Sequence, residues 1–177
     1  GGGGGALATG DLASVSPEGV VELQGRVADV MTLASGKRVV PSRVVDAVMA
    51  APWVSQAVVV GEGKEFPVLL VVPIYEKMQV WEGKRLNRGE EWILSEAQLV
   101  APGPVRDEMD RHIKQALATL ATHPNVAPHE IPKAFAVVPE RFEVKHGTLT
   151  PRGELRRPAI EARFADTIAD MYAGLRT

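Results

Sequence analysis

The sequence contains no cysteine, which excludes a disulfide framework, a thiolate metal site and a thiol nucleophile. It has no long apolar run either. Runs such as Val68 to Val72, between Pro67 and Pro73, fall far short of the ~20 residues that span a bilayer. A basic excess is also missing: 20 Lys and Arg stand against 22 Asp and Glu, for a formal net charge of -2. Nucleic acid is therefore not an expected partner, because a phosphate backbone calls for a concentrated basic patch. His112, His123, His129 and His146 show no ligand-like spacing, so no metal site is expected. The N-terminus is glycine-rich rather than basic and then apolar, unlike a signal peptide. A soluble, cytoplasmic protein is expected, with peripheral membrane contact left open. Residues 1–8, with the run Gly1 to Gly5, read as a linker or tag-like tail outside the fold.

What is present suits one domain. The 177 residues are 45% hydrophobic and 24% charged, ordinary values for a chain with a real core. Asp11 to Arg26 reads as a hairpin about the turn Ser16-Pro17-Glu18-Gly19. Gly25 to Pro41 reads as loop. A helix is expected from Pro41 or Ser42 to a point before Pro52, with Val44, Val45, Val48 and Met49 on one face. Gln56 to Val60 and Phe66 to Val72 are apolar runs separated by Gly61-Glu62-Gly63-Lys64, a second hairpin whose strands are covered on both faces. Glu76 to Gly103 is polar, with helical stretches of uncertain extent. Val105, Met109, Ile113, Leu117 and Leu120 then line a helix over 105–122. A strand over 133–138 follows, and a last helix over 158–173 turns Ile160, Phe164, Ile168 and Met171 inward. The fold class is α+β: a small mixed or antiparallel sheet flanked by helices and preceded by a β-hairpin.

Three segments carry candidate chemistry. In Thr9-Gly10-Asp11 the carboxylate can accept hydrogen bonds from a sugar's hydroxyls, although a turn aspartate explains three residues as well. Gly25-Arg26-Val27-Ala28-Asp29, with Ser35-Gly36-Lys37-Arg38 beyond it, joins backbone that a ligand can approach to a planar donor fork suited to phosphate. A surface arginine in a glycine loop is the plainer account. The stretch from Gly147 through Leu149-Thr150-Pro151-Arg152-Gly153-Glu154-Leu155-Arg156-Arg157 to Pro158 connects a strand to the last helix, where loops often carry function.

In their order and spacing these segments resemble the end of adenylate-forming enzymes, in particular the long-chain acyl-CoA synthetase branch. There a T-G-D motif leads through a hairpin to G-R-x-x-D, then a glycine-lysine loop, and finally L-T-P-x-x-K-x-x-R. Thr9-Gly10-Asp11, Gly25 to Asp29, Ser35-Gly36-Lys37-Arg38-Val39-Val40-Pro41 and Leu149-Thr150-Pro151 through Arg157 match in sequence order. Ser55 to Gly61 also looks like the family's first hairpin strand. The resemblance runs from about residue 8 to the C-terminus.

The resemblance implies a C-terminal lid, over residues 27–177, of an enzyme that joins a fatty acid to ATP and passes the acyl group to CoA. Residues 9–26 would end the large domain and approach the hinge. Partners would be the large N-terminal domain of the same polypeptide, the fatty acid and CoA, with Mg2+ accompanying ATP. Asp11 and Arg26 would meet the nucleotide, Ala28 would be the hinge, and Gly36 with Lys37 would line the CoA path. Two positions depart from the pattern. Ala28 replaces the usual Asp or Lys of the hinge, which needs permissive backbone more than particular chemistry. Glu154 stands where the family's adenylation lysine is expected, and a carboxylate repels phosphate. If the segment is extended, Arg152 and Arg156 flank Glu154 on one side, and Arg152 is a candidate substitute for the lysine. Ala28 and Glu154 keep two alternatives open, a non-catalytic lid-like interaction or regulatory domain and a fatty acyl-AMP ligase relative. The chain alone is expected to be inactive.

Overall fold

The structure, a computed structural model, describes residues 11–15, 21–26 and 30–175, with side chains from residue 30 onward. β1 (Asp11–Val15) and β2 (Val21–Arg26) pair antiparallel. The intervening turn lies outside the described residues. β3 (Met31–Thr32) and β4 (Arg38–Val39) form a second, very short antiparallel pair. It lies in the stretch expected to be loop, because two residues a side give no period to read.

α1 (Pro41–Met49) begins at its proline, a good first helical residue because its missing N–H has no intrahelical partner there. Val44 and Val48 are fully buried, whereas Met49 is 41% exposed. The expected apolar face therefore ends one residue early, at the last helical turn. β5 (Val54–Val60) and β6 (Val68–Pro73) pair antiparallel, with Val59 opposite Leu69 and Val60 opposite Val68. β7 (Phe135–Val137) joins β6 in parallel, giving a mixed sheet of order β5-β6-β7. All six residues of β6 are buried. Successive strand residues point to opposite faces, so both faces of this central strand are covered. Burying a side chain such as Leu69 or Leu70 contributes about 1.5–3 kcal/mol.

α2 (Tyr75–Arg85) and α3 (Glu96–Val100) resolve the uncertain polar stretch. Ser95 and Gln98 close a capping box on α3: the Ser95 hydroxyl accepts from the Gln98 N–H, and the Gln98 side chain accepts from the Ser95 N–H. α4 (Pro104–Ala121) buries Val105, Met109, Ile113 and Leu120 of the expected stripe, with Leu117 partly buried against the core. It packs on α1 and α2, while α1 packs on β5. The last helical region is two helices, α5 (Arg157–Arg163) and α6 (Ala165–Leu175), not one. Phe164 breaks the run at φ -108° and ψ 26° and stays buried, its ring edge-on to Phe142 at 5.8 Å. No Pro or Gly marks the break. In α6, Tyr172 is buried and Met171 only partly so, because the break shifts the helix phase. Among the described residues no helix is long and apolar enough to cross a membrane.

Candidate functional site

The Gly147–Pro158 segment is a miniature hairpin rather than an extended strand. A 3-10 turn (Val144–His146) ends at Gly147, whose φ of +73° is reached without strain by glycine. Thr148 is 1% exposed. Its hydroxyl accepts from the Glu143 N–H at 2.8 Å and donates to the Glu143 carbonyl at 3.1 Å. Thr150 N–H then donates to the Glu154 carbonyl, and Gly153 N–H donates to the Thr150 carbonyl, each at 2.8 Å. The Thr150 hydroxyl accepts from the Glu154 N–H at 3.1 Å. Leu149 bridges Leu155, and Arg156 N–H donates to the Thr148 carbonyl at 2.9 Å. Pro at the second position and Gly at the fourth suit such a turn, and Gly153 takes φ +84°.

This geometry overturns the premise of an extended segment flanking Glu154 with two arginines. Arg152 occupies the exposed tip, while Glu154 and Arg156 follow one another on the return arm. Both line an open groove of about 900 Å³ in which Arg152 has no part. The walls come from Val30, from α1 through Pro41, Val45 and Asp46, and from β5 through Val58 and Val59. Glu62 and the start of α5, including Arg157 and Glu161, complete them. Arg157 is held in place, its Nε donating to the Val59 carbonyl at 3.0 Å. Among the described residues, Asp46, Glu62, Glu154 and Glu161 line the groove together with Arg156 and Arg157, carboxylates and guanidiniums at a site expected to meet phosphate. Lys145 lies elsewhere, paired with Glu143 at 3.0 Å.

Gly36 and Lys37 sit on the β3–β4 turn, built by the same pair of bonds. Leu33 N–H donates to the Lys37 carbonyl, Gly36 N–H donates to the Leu33 carbonyl, and Gly36 takes φ +85°. The turn docks on the β5–β6 loop: Ala34 N–H donates to the Lys64 carbonyl at 2.8 Å, and Gly63 N–H donates to the Thr32 carbonyl at 2.9 Å. Glu62 Oε2 accepts from Thr32 N–H at 3.0 Å. Gly36 and Lys37 are exposed and do not line the groove. Asp11 and Arg26 face each other as register partners across the β1–β2 pair. Their side chains, and Ala28 as a whole, lie outside the described residues.

Asp46, Glu62 and Glu161 escaped the sequence reading as groove residues, since each looks like a solvated helix or turn position. Glu161 and Glu62 also line a second groove of about 430 Å³ against Ile168 and Tyr172. There burial, aided by Glu161, pushes the Tyr172 hydroxyl up to about 12. Its hydroxyl donates to the Phe66 carbonyl at 2.7 Å. Among the described residues no group of three His, Asp or Glu side chains is placed to hold a metal ion.

A family model described as the AMP-binding enzyme C-terminal domain matches residues 28–176. The chain is 31% identical over 164 residues to the long-chain-fatty-acid–CoA ligase FadD15 of Mycobacterium tuberculosis, covering 93% of this chain and 26% of that protein. It is 27% identical over 171 residues to human long-chain-fatty-acid–CoA ligase 1, covering 96% and 23%. It therefore spans about a quarter of the length of these curated relatives. Among solved structures, the adenylation domain of a carboxylate reductase from Mycobacterium chelonae superposes with TM-score 0.67 at 23% identity, covering 93% of this chain and 23% of that one. The corresponding domain from Segniliparus rugosus, bound to AMP and a carboxylic acid, gives 0.66 at 23% identity, covering 94% and 23%. At that identity these likenesses establish the fold.

Proposed function

The chain belongs to the AMP-binding enzyme C-terminal domain family, and we propose that it is the lid of a long-chain fatty acid–CoA ligase. The observation that carries this reading is similarity over 93% of the chain to a long-chain-fatty-acid–CoA ligase, beside the T-G-D, G-R-x-x-D and L-T-P motifs in their order along the chain. In this reading residues 9–26 close the large domain and 27–177 form the lid. The large domain of the same polypeptide binds the fatty acid and most of the ATP. The first step forms an acyl-adenylate and releases pyrophosphate; the second transfers the acyl group to the CoA thiol. A lid that presents different faces in the two steps lets one site offer cations to phosphate and later admit a thiol.

Asp11 accepts hydrogen bonds from the ribose hydroxyls and Arg26 lies near the nucleotide. Register pairing of these two residues supports placing them at one end of one hairpin. Ala28 serves as the hinge, and Val30, two residues on, already lines the groove that contains Glu154. Gly36 and Lys37, on a separate exposed turn, line the CoA path. The Mg2+ that accompanies ATP does not fit the described residues, which offer no cluster to hold it, so no step here passes through it. The cytoplasm is the compartment proposed for this reaction.

A second reading, a lid-like domain without adenylation chemistry, is favoured by one observation: among the described residues, four with carboxylates and two arginines line the groove. The test is to assay ATP–pyrophosphate exchange and acyl-CoA formation in a longer polypeptide that carries this chain behind its large domain. Both activities are expected there, and neither from residues 1–177 alone. Acyl-adenylate without acyl-CoA would reassign the protein to the fatty acyl-AMP ligases, and neither activity would leave the non-catalytic reading. Acyl-CoA made by the isolated chain would refute the lid assignment.

A further inference from the structure

We infer that Arg156 is the phosphate-contacting cation of this lid, acting beside the position that Glu154 leaves without a positive charge. The inference rests on the ligase reading above. The first observation is topological. The Thr150–Glu154 turn reverses the chain, so Arg156, two residues on along the same arm, shares the groove with Glu154, and Arg152 is left at the tip. Residues two apart on an extended arm point to the same side.

The second observation concerns what each arginine already does. Arg43, Arg85, Arg106, Arg111, Arg141 and Arg163 are engaged with carboxylates. Arg157, also in the groove, already gives its Nε to the Val59 carbonyl. Arg38, Arg88 and Arg152 lie outside it. Among the described residues, Arg156 is the one arginine that both lines the groove and spends its guanidinium on no hydrogen bond or ion pair within the lid. A planar fork left open is the donor geometry that phosphate oxygens accept bidentately.

The third observation is anchorage. Arg156 N–H is tied to the carbonyl of Thr148, a residue 1% exposed and itself bonded twice through its hydroxyl to the Glu143 backbone. The backbone that presents the guanidinium is therefore fixed, and a fixed donor loses little freedom when charge develops on the phosphates. Arg156 is exposed in the lid by itself, as a group that meets a ligand held by another domain must be.

The test measures the two half-reactions separately in the full-length ligase. In the Arg156→Ala variant, kcat for ATP–pyrophosphate exchange should fall roughly 10- to 100-fold, less than the full loss of a preorganised donor because Glu154 already weakens the site. Thioester formation from supplied acyl-adenylate should stay within about twofold of wild type. Arg156→Lys should recover most of the exchange, a result that a purely structural role does not predict. Glu154→Lys should raise exchange and shrink the further loss caused by Arg156→Ala. Exchange unchanged in Arg156→Ala, or a larger loss in Arg152→Ala, overturns the inference. If wild type runs neither half-reaction, the ligase reading fails, and Arg156 is judged by titrating inorganic pyrophosphate into residues 1–177. Saturable amide shifts at Leu155–Arg157 that vanish in Arg156→Ala and persist in Arg152→Ala sustain the inference. No shift in wild type overturns it.

Discussion

The side-chain amide of Gln56 on β5 closes both backbone polar groups of Phe142: its Nε2 donates to the Phe142 carbonyl at 3.0 Å, and its Oε1 accepts from the Phe142 N–H at 2.8 Å. Phe142 is 1% exposed, so water cannot easily replace either bond. This clamp fixes the start of the segment that runs on to the Thr148–Arg156 hairpin. Gln56→Ala leaves a buried donor and a buried acceptor unpaired, each costing about 1–3 kcal/mol. Urea denaturation of Gln56→Ala should show a loss of roughly 2–4 kcal/mol, allowing for partial relaxation. A change under about 0.5 kcal/mol would mean that the clamp does not position the hairpin.

Gly61 and Gly63 make a second, paired prediction. Both have positive φ, +137° and +72°. A Cβ on Gly61 would meet Tyr172 Oη at 2.8 Å and the Phe66 carbonyl and Pro67 Cα at 3.0 Å, whereas one on Gly63 would meet nothing within 4 Å. Gly63→Ala carries only backbone strain, about 1–2 kcal/mol. Gly61→Ala adds a clash that must break the Tyr172–Phe66 hydrogen bond or move backbone, so its loss should exceed that of Gly63→Ala by about 1–3 kcal/mol. Equal losses in denaturant titrations would contradict the packing described for α6.

Stability should also fall with acid through Glu140. The Arg163 guanidinium, its Nε donating to Glu140 at 2.7 Å, holds that carboxyl below its ordinary 4.5, with His146 and Lys145 helping. A folded-state pKa below the unfolded one contributes stability at neutral pH, and that stability is lost as pH falls through the depressed value. Glu140 and Arg163 are about one-third exposed, so solvent screens the pair and the effect is modest. Glu140→Gln should lower Tm at pH 7 and flatten the decline of Tm between pH 5 and 3, roughly the window where carboxylates titrate. A Tm profile parallel to wild type would remove Glu140 from the acid response.

Much of this fold is readable from apolar period. The α4 stripe of Val105, Met109 and Ile113, the valine-rich β5 and β6, and the Pro41 start of α1 all follow from local chemistry that packing then reinforces. The capping box at Ser95 and Gln98 was equally legible, a serine with a glutamine three residues on, yet the polar composition around it hid the helix. The β3–β4 pair and the break at Phe164 had no local signal. Two-residue strands show no alternation, and an aromatic helix break is imposed by the need to bury Phe164 against Phe142. The candidate site divides in the same way. Motif residues Asp11, Arg26, Gly36 and Glu154 stand out in the sequence, but which arginine accompanies Glu154 depends on the Gly153 turn, which alternation along an extended strand cannot anticipate.

The last prediction separates backbone strain from ligand access at Gly36. Its φ is +85°, and a Cβ added there would meet nothing within 4 Å. Gly36→Ala therefore costs folding only the strain of a left-handed residue, about 1–2 kcal/mol. Asparagine tolerates that conformation better, so Gly36→Asn should be the more stable variant in denaturant. If the turn lines the CoA path, the larger asparagine should nevertheless impair acyl transfer to CoA more than alanine does, with ATP–pyrophosphate exchange unchanged in both. Stability and thioester formation would then rank the variants in opposite orders, which a loss of folding alone cannot produce. Activity that tracks stability in both half-reactions would instead assign Gly36 to the turn and remove it from the CoA path.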